Sequence, residues 1–343
     1  MGSIRVGVNG YGTIGKRVAD AIKLQPDMEL VGVVKTKPDY SSMVANRYGI
    51  NIYVPENALK KFEEKGVDPS GTIEDLLSRI DVVVDATPGG VGVTYKELYS
   101  KYGIKSIFQG GEKPEVATLS FNTLCNYEEA LGKQSLRVVS CNTTALLRTL
   151  CALRGISRIK KVRATIVRRA ADPKEVKKGP INAIVPNPPK IPSHHAIDVK
   201  TVLDIDIITM AVVVPTTLMH LHTVYVELES SITKSDIEEL FANTPRVLLI
   251  DSSIGLKSTA ELIELARDLG RKRNDIPELL IWQDSIEAKG TEVMWMHAVH
   301  QESIVVPENI DAIRAVAQLA HKASETIEVT DRTLGILRGR LTS

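Results

Sequence analysis

The sequence has 343 residues, enough for two domains of ordinary size. Its 43 lysines and arginines nearly balance 42 aspartates and glutamates, so the overall charge gives no reason to expect a nucleic acid as a partner. No signal peptide precedes the first strand, and no apolar run approaches the roughly 20 residues of a membrane span, so we expect no membrane partner.

The three cysteines, Cys125, Cys141 and Cys151, are widely spaced and form no CxxC pair. An odd number of cysteines with this spacing argues against a disulfide framework and against a zinc site. Cysteine usage therefore favours a reducing, cytoplasmic location.

A GxGxxG motif follows the short apolar strand at 4–8. Gly10 permits the tight turn, Gly12 lets a pyrophosphate approach the backbone, and Gly15 lets the next helix, expected over 13–23, pack close to the strand. As a bare pattern the motif is often an ordinary glycine turn. Between a strand and a helix it predicts a dinucleotide site.

The second strand, at 30–34, runs into Lys35, Thr36 and Lys37. An acidic residue usually lies here in proteins that bind NAD, because it accepts the ribose hydroxyls and repels the phosphate of NADP. The acid is missing, and Lys35 and Thr36 can donate hydrogen bonds to that phosphate. We therefore expect NADP to be preferred and NAD still to be used, although lysines after a strand are usually only solvated charges.

Two further buried strands, at 82–86 and 105–109, also end in glycine-rich loops. Continuous apolar strands that alternate with helices predict an α/β fold with a Rossmann-type, doubly wound parallel sheet. Ligands collect at the carboxyl ends of such strands. Thr87, Gly110, Gly111 and Cys141 all fall at these ends, so we expect the thiol and the cofactor to share one crevice.

Cys141 lies between a strand that contains Val138 and Val139 and a leucine-rich helix that continues to 153. Asn142 and Thr143 are suited to cap this helix. At a helix N-terminus the unpaired N–H groups and the helix dipole favour a thiolate and an oxyanion beside it. The pattern predicts a nucleophile, whereas the alternative is a small buried residue.

Alternating polar and apolar residues at 161–169 predict a half-buried strand in an antiparallel or mixed sheet, and so a second, α+β domain. Arg168 continues the apolar side and Arg169 lies on the polar side, where the pair is either a solvated strand end or an anion site. A segment with six prolines follows at 170–206, and a loop of this length is usually functional or lies at an interface. Strands are expected again at about 207–214 and 223–228, and helices at 237–241, 260–269 and 310–336.

Six of the seven histidines occur in three pairs, His194/His195, His220/His222 and His297/His300. No zinc-type spacing or carboxylate cluster accompanies them, so we predict no metal site. A thiol that attacks a carbonyl and then gives up hydride to a nicotinamide needs a base near neutrality, which histidine supplies.

Five separated motifs, in the same order, resemble archaeal-type glyceraldehyde-3-phosphate dehydrogenase; they lie at 9–17, 140–144, 192–195, 214–220 and 300–303. The resemblance covers essentially the entire chain. It implies a homotetrameric enzyme of glycolysis or gluconeogenesis, with a cofactor domain at 1–139 that a C-terminal helix at about 304–343 completes, and a catalytic domain at 140–303. The segment Ser140-Cys141-Asn142-Thr143-Thr144 departs from the bacterial and eukaryotic form, where Ser-Cys-Thr-Thr-Asn is usual, so no residue of that form is carried over.

The resemblance also implies residue roles. Cys141 would be the nucleophile, and His220 the base that also steadies the hemithioacetal. Together with the glycine motif and the strand ends, the expected cofactor contacts are Gly10, Gly12, Thr13, Ile14, Gly15, Lys35, Thr36, Thr87, Gly111, Arg168 or Arg169, and Gln301. The expected substrate contacts are Ser140, Cys141, Asn142, His194 and His195.

The implied reaction is the phosphorylating oxidation of D-glyceraldehyde 3-phosphate. The Cys141 thiolate adds to the aldehyde, His220 takes the hydroxyl proton, and hydride leaves for NADP or NAD, which gives a thioester that inorganic phosphate converts to 1,3-bisphosphoglycerate. Two alternatives remain. One is the reduction of aspartate semialdehyde or N-acetylglutamyl phosphate by the same fold and thiol, and the other is a non-catalytic dinucleotide-binding protein in which Cys141 only packs.

Overall fold

The computed structural model describes residues 2–109, 111–172 and 179–342. The chain forms two compact units. The first is Met1–Val139 with Val306–Leu334, and the second is Ser140–Val305 with Gly335–Ser343. Gly110 and residues 173–178 lie outside the described residues, so the expectations for Gly110 and for that part of the proline-rich segment lie outside them too.

The first unit contains a parallel sheet of eight strands in the described residues. They are β1 (Ile4–Asn9), β2 (Met28–Val34), β3 (Ile52–Val54), β4 (Gly71–Thr72), β5 (Val82–Asp85), β6 (Lys105–Gln109), β7 (Leu119–Phe121) and β8 (Ser135–Val138). Their order is β4-β3-β2-β1-β5-β6-β8-β7, and every pairing is parallel. The order reverses between β1 and β5, and this switch point is where a doubly wound sheet opens a ligand crevice.

Six helices of this unit lie between its strands in the described residues. They are α1 (Thr13–Ile22), α2 (Tyr40–Arg47), α3 (Leu59–Glu63), α4 (Ile73–Leu77), α5 (Gly92–Lys101) and α6 (Thr123–Asn126). The central strands carry apolar residues that are buried on both faces of the sheet, as at Val82, Val83 and Val84 of β5. These continuous apolar runs are the pattern that predicted a parallel sheet, and the prediction is confirmed.

The second unit contains a mixed sheet. In chain order its elements are α7 (Cys141–Arg154), β9 (Ile159–Arg169), β10 (Val185–Pro186), α8 (His194–Lys200), β11 (Ile207–Val214), β12 (His220–Leu228), α9 (Lys234–Asn243), β13 (Val247–Ile250), α10 (Thr259–Asp268), β14 (Leu279–Trp282), β15 (Glu287–Lys289) and β16 (Glu292–Val299). Strand β12 is antiparallel to both β9 and β16, whereas β9 and β11 are parallel. The predicted α+β domain with a mixed sheet is confirmed.

The chain ends with α11 (Val306–Ala317), α12 (Ala323–Leu334) and β17 (Gly339–Arg340). Buried polar contacts explain why both helices belong to the first unit. The guanidinium of Arg314 bonds Asp27 at 2.8 Å, and the carboxylate of Glu308 accepts a hydrogen bond from the backbone N–H of Thr123 at 2.9 Å. Residues 335–343 belong to the second unit, not to the cofactor domain as expected, because β17 pairs with β13.

Three element predictions were wrong. The helix expected over 310–336 is two helices, and the chain breaks at Gln318, which has a positive φ of 55°. The proline-rich segment is not structureless, because it contains β10 and α8. The strand expected from 223 begins at His220, so His220 and His222 lie on β12.

The cysteines also differ from the expectation. Cys125, in α6, and Cys151, in α7, are disulfide-bonded, and Cys141 is the one free cysteine of the three. Spacing rules recognise only local patterns such as CxxC, so they did not predict the oxidised state of these two cysteines. The argument from cysteine usage to a reducing compartment therefore fails.

Candidate functional site

The glycine motif has the geometry that a dinucleotide needs. Helix α1 begins at Thr13, and no side chain caps its N-terminus. A Cβ atom on Gly15 would lie 1.8 Å from the carbonyl oxygen of Gly10, so only glycine lets the helix approach this closely. A Cβ atom on Gly12 would meet nothing within 4 Å in the described part of the chain. This open space beside the first turn of α1, at Thr13 and Ile14, fits a phosphate.

Thr87 lies beside this motif at the switch point. A Cβ atom on Gly10 would come within 2.8 Å of the Thr87 nitrogen. The backbone N–H of Thr87 donates to Asp85 at 3.0 Å, and Asp85 also accepts the Tyr99 hydroxyl at 2.6 Å. Burial raises the pKa of Asp85, although the hydrogen bonds from Thr87 and Tyr99 oppose the shift. Sequence reasoning missed Asp85, and its signal was a carboxylate that ends an otherwise apolar strand.

Gly111 lies against the loop that follows β5. A Cβ atom on Gly89 would be 2.5 Å from the Gly111 carbonyl oxygen, so two glycines are needed at this approach. The next residue, Glu112, accepts hydrogen bonds from the backbone N–H groups of Gly90 at 2.9 Å and Gly92 at 2.8 Å. The two glycine-rich loops are thereby held together.

Lys35 is tethered at the end of β2. Its ammonium group bonds Asp39 at 2.8 Å and the Ser41 hydroxyl at 2.9 Å, whereas Thr36 is exposed. Asp39 also caps α2, and although burial opposes ionisation, hydrogen bonds from Lys35 and Ser41 lower its pKa to about 2. Sequence reasoning missed Asp39, whose signal was its capping position. The charge of Lys35 is thus held in place and partly neutralised.

Cys141 is the first residue of α7, as predicted. The capping residue is Ser140, whose hydroxyl accepts from the Thr143 N–H, and not Asn142 or Thr143. Cys141 is partly buried. This burial raises the pKa of the thiol, although Arg168, Arg169 and the backbone N–H of Asn142 favour the thiolate.

Asn142 and His195 contact each other. The Asn142 amide nitrogen lies 3.0 Å from Nε2 of His195, and both side chains are buried. His194 is exposed, and its ring centroid lies 3.9 Å from that of His195. Burial, and then the charge of His194, lower the pKa of His195 to about 3. His195 is therefore neutral and accepts a proton only with difficulty.

His220 is buried at the start of β12. Its Nδ1 accepts a hydrogen bond from the backbone N–H of Arg169 at 3.0 Å. In a neutral imidazole one nitrogen accepts and the other donates, so the hydrogen is on Nε2. Burial lowers the pKa of His220 well below its usual value, and the positive charges of Arg168 and Arg169 lower it further.

The two arginines at the end of β9 have different partners. Arg169 forms ion pairs with Asp172 and Glu302, the latter at 3.0 Å. The Gln301 amide also lies against its guanidinium, and with the amide turned so that its oxygen faces Arg169, that oxygen accepts a hydrogen bond at 2.8 Å. Arg168 donates to Asn187 at 2.6 Å, and its buried Nε has no hydrogen-bond partner among the described residues. A buried donor of this kind beside Cys141 suits an anionic ligand.

The structure describes no group of three or more histidine, cysteine, aspartate or glutamate side chains that could hold a metal ion within residues 2–109, 111–172 and 179–342. Over the same residues, no helix has the length and apolar character needed to cross a membrane.

Two family models match the chain, one in each half. Residues 4–112 match "Dihydrodipicolinate reductase, N-terminus", and residues 140–269 match "Glyceraldehyde 3-phosphate dehydrogenase, C-terminal domain". Among solved structures, aspartate semialdehyde dehydrogenase II from Vibrio cholerae superposes with a TM-score of 0.65 over 92% of this chain and 98% of its own, at 12% identity. At that identity the likeness shows the fold alone.

Curated relatives are much more similar. Glyceraldehyde-3-phosphate dehydrogenase from Hyperthermus butylicus is 67% identical over 99% of this chain and 100% of its own length. The proteins of the same name from Saccharolobus islandicus (strain M.16.27) and Saccharolobus solfataricus are 59% and 60% identical over 98% of this chain and 99% of their own. The chain belongs to the glyceraldehyde-3-phosphate dehydrogenase family.

Proposed function

We propose that this chain catalyses the phosphorylating oxidation of D-glyceraldehyde 3-phosphate to 1,3-bisphosphoglycerate with a nicotinamide cofactor, NADP before NAD. The observation that carries the proposal is the position of Cys141. It is the only free cysteine, it begins a buried helix, and it lies in the field of Arg168 and Arg169. We place the enzyme in glycolysis or gluconeogenesis, as its relatives' shared name suggests.

The first chemical step is addition of the Cys141 thiolate to the aldehyde carbon. A carbon–sulfur bond forms, and the electron pair of the carbonyl moves to oxygen. His220 is suited to stabilise this oxyanion, because its contact with the Arg169 N–H leaves the hydrogen on Nε2, where it can be donated. A base would need a free electron pair on Nε2, which carries the hydrogen in this arrangement. The geometry therefore favours His220 as the donor of a hydrogen bond to the oxyanion, and not as the base.

The remaining steps oxidise the hemithioacetal to a thioester and release the acyl phosphate. A nicotinamide, when bound, would supply the hydride acceptor. Loss of hydride from the hemithioacetal carbon turns the alkoxide into the carbonyl of a thioester on Cys141, and no proton has to leave in that step. Inorganic phosphate then attacks the thioester carbonyl, the thiolate of Cys141 leaves, and the hydrogen of the phosphate is released to water as a proton. The residues proposed to hold the cofactor are those of the glycine motif, Lys35, Thr36, Thr87, Gly111 and Gln301.

The residues around Cys141 fall into two groups: those with a polar group available for an anionic ligand, and those whose polar groups contact other side chains. Arg168 is the arginine that we assign to a ligand, because Arg169 is already bonded by two carboxylates. Ser140 and His194 remain accessible and are proposed to face the substrate phosphate. Asn142 and His195 bond each other, so we assign them to holding the site in shape.

A homotetramer is also proposed. The proline-rich segment exposes Ile181, Ile184 and Ile191 by 85%, 68% and 60%. One face of the second sheet further exposes Met210 and Met296 beside a cavity of about 340 Å³. Apolar side chains exposed together favour contact with another subunit.

The decisive assay follows NADPH formation with glyceraldehyde 3-phosphate, with and without inorganic phosphate. We expect formation that requires both, and no activity in Cys141→Ser, which should keep its fold and its affinity for the cofactor. Oxidation of aspartate semialdehyde without oxidation of the triose phosphate would overturn the proposal. The identity of the relatives does not favour that alternative.

A further inference from the structure

A continuous chain of hydrogen bonds runs through the interior of the second unit to the residue after Cys141. The indole Nε1 of Trp295 donates to Nδ1 of His297 at 3.0 Å, and Nε2 of His297 lies 2.9 Å from Nδ1 of His222. Nε2 of His222 lies 2.9 Å from Oδ1 of Asn142. His222 and His297 face each other in the register of β12 and β16, and both are fully buried.

Trp295 fixes which atom is the donor and which the acceptor in each of these hydrogen bonds. An indole N–H can only donate, so Nδ1 of His297 accepts, and in the neutral ring the hydrogen is on Nε2. Burial keeps the ring neutral, since it lowers the pKa of His297 to about 3. The same argument applies to His222, which accepts at Nδ1 and donates from Nε2 to the oxygen of Asn142.

The direction continues beyond Asn142. With its oxygen turned to His222, the amide presents its nitrogen to Nε2 of His195, which accepts at 3.0 Å. The hydrogen of His195 is then on Nδ1, 3.1 Å from the hydroxyl of Ser193, and that hydroxyl lies 2.7 Å from the hydroxyl of Thr209. Every donor in the chain meets an acceptor.

Without the indole N–H, the hydrogen bonds among these side chains could run in either of two directions. If each hydrogen moved to the opposite nitrogen and the amide of Asn142 turned over, the contacts among His195, Asn142, His222 and His297 would all be satisfied again. Only the bond from Trp295 distinguishes the two arrangements. Trp295 therefore selects one orientation of Asn142 through two intervening side chains, His297 and His222.

We propose that Trp295, His297 and His222 are positioning residues for Cys141, because they fix the side chain of Asn142 and thereby the first turn of α7. The backbone N–H of Asn142 is one of the groups that stabilise the sulfur. An Asn142 that turns over would loosen that N–H relative to the thiolate. The inference deepens the proposed function, since it rests on Cys141 being the nucleophile.

The test compares two tryptophan-to-phenylalanine variants. Trp295→Phe removes the donor that directs the chain. Trp282→Phe is the matched control, because Trp282 is buried in the same sheet and its indole N–H donates to the Leu256 carbonyl, at 2.7 Å, outside the hydrogen-bonded histidines. The first measurement is the rate at which iodoacetamide alkylates Cys141, the one free cysteine, as a function of pH. The second is steady-state kinetics, which gives kcat and KM.

We expect Trp295→Phe to slow alkylation at neutral pH by roughly three- to tenfold, the range for loss of one neutral hydrogen bond, and to lower kcat with little change in KM. Trp282→Phe should react at the parental rate. Parental alkylation in Trp295→Phe, or equal slowing in both variants, would overturn the inference. Alkylation needs no dehydrogenase activity, so failure of the proposed function would be seen separately.

A second pair of variants serves if Trp295→Phe does not fold. His297→Gln keeps a donor and an acceptor in the chain, whereas His297→Leu keeps neither. Slow alkylation in the leucine variant and rescue in the glutamine variant support positioning by hydrogen bonds. Equal rates in the two variants would contradict it.

Discussion

The backbone N–H of Arg169 donates to Nδ1 of His220 at 3.0 Å, and this one contact decides which nitrogen of the imidazole carries hydrogen. Backbone geometry thus leaves Nε2 of a neutral His220 as a hydrogen-bond donor, which fits the proposed role of steadying an oxyanion. A donor and a base respond differently to substitution, so the two roles can be separated.

His220→Gln should retain more activity than His220→Ala. The glutamine amide can donate to an oxyanion but cannot act as a base, whereas alanine does neither. We expect kcat of the alanine variant to fall by about 10²–10⁴-fold, with the glutamine variant at least tenfold above it. The measurement is steady-state kinetics with glyceraldehyde 3-phosphate. Equal losses would assign His220 the role of base, and a larger loss in His222→Ala would point to the other histidine.

Alkylation of Cys141 should accelerate with pH beyond the ordinary cysteine range. Burial raises the pKa of this thiol, so the thiolate fraction continues to grow above about pH 8.5. Iodoacetamide should modify one cysteine per chain and abolish activity. A rate that levels off below pH 7.5 would show that the helix N-terminus and the arginines outweigh burial.

Lys35→Asp should reverse the cofactor preference. The charge-assisted hydrogen bond that Lys35 can give to the ribose phosphate is worth about 1.5–3 kcal/mol, so its loss should weaken NADP relative to NAD by about tenfold or more. Lys37→Asp, on an exposed neighbour, is the control and should change the ratio less. Dissociation constants for both cofactors measure the effect.

Asp39 offers a second test of the same site. Asp39→Asn keeps a capping side chain for α2 but removes the carboxylate that binds Lys35. NADP should then bind more tightly and NAD about as before. An unchanged ratio in both Lys35→Asp and Asp39→Asn would show that the end of β2 does not select the cofactor.

Acid should destabilise the folded chain between about pH 6.5 and pH 3. The pKa values of His195 and His297 are lowered to about 3 by burial, whereas unfolded histidine titrates near 6.5, so the unfolded chain binds more protons below that pH. Each histidine should cost up to about 1.4 kcal/mol per pH unit in the free energy of unfolding. Urea unfolding from pH 7.5 to 5 measures this, and His297→Gln should reduce the slope while His321→Gln, at an exposed position, should not.

Subunit contact should involve the proline-rich segment. Light scattering at micromolar concentration should give a tetramer, and Ile184→Asp should shift it to smaller species because it puts a charge into an apolar contact. Ile254→Asp, at a similarly exposed isoleucine outside the segment, is the control. A monomeric parent protein would refute the prediction.

Local sequence patterns predicted the elements that depend on local chemistry. The apolar runs of β1 and β5 and the glycines between them predicted the parallel sheet, and the change from β-branched residues to leucine located the start of α7 at Cys141. The capping residue was misassigned because Ser140, Asn142 and Thr143 can all cap, and propensity does not rank neighbours.

Other features could not be predicted for physical reasons. Helix α8 has seven residues, too few to show a period, and the break at Gln318 needs a left-handed backbone that glutamine rarely adopts. The partners of Asn142 lie 53 and 80 residues away, so only tertiary packing brings them together. The sequence therefore suggested a base and substrate contacts among the paired histidines, whereas the structure places His195, His222 and His297 in a buried hydrogen-bonded network.

The division of the chain also has a consequence for synthesis on the ribosome. The first unit needs α11 and α12, which emerge only after residues 140–305 have been made. Until then Asp27 and Thr123 lack the Arg314 and Glu308 side chains that bond them in the finished protein. Folding from the N-terminus alone cannot complete this unit, so we expect the nascent cofactor domain to remain open until translation is nearly finished.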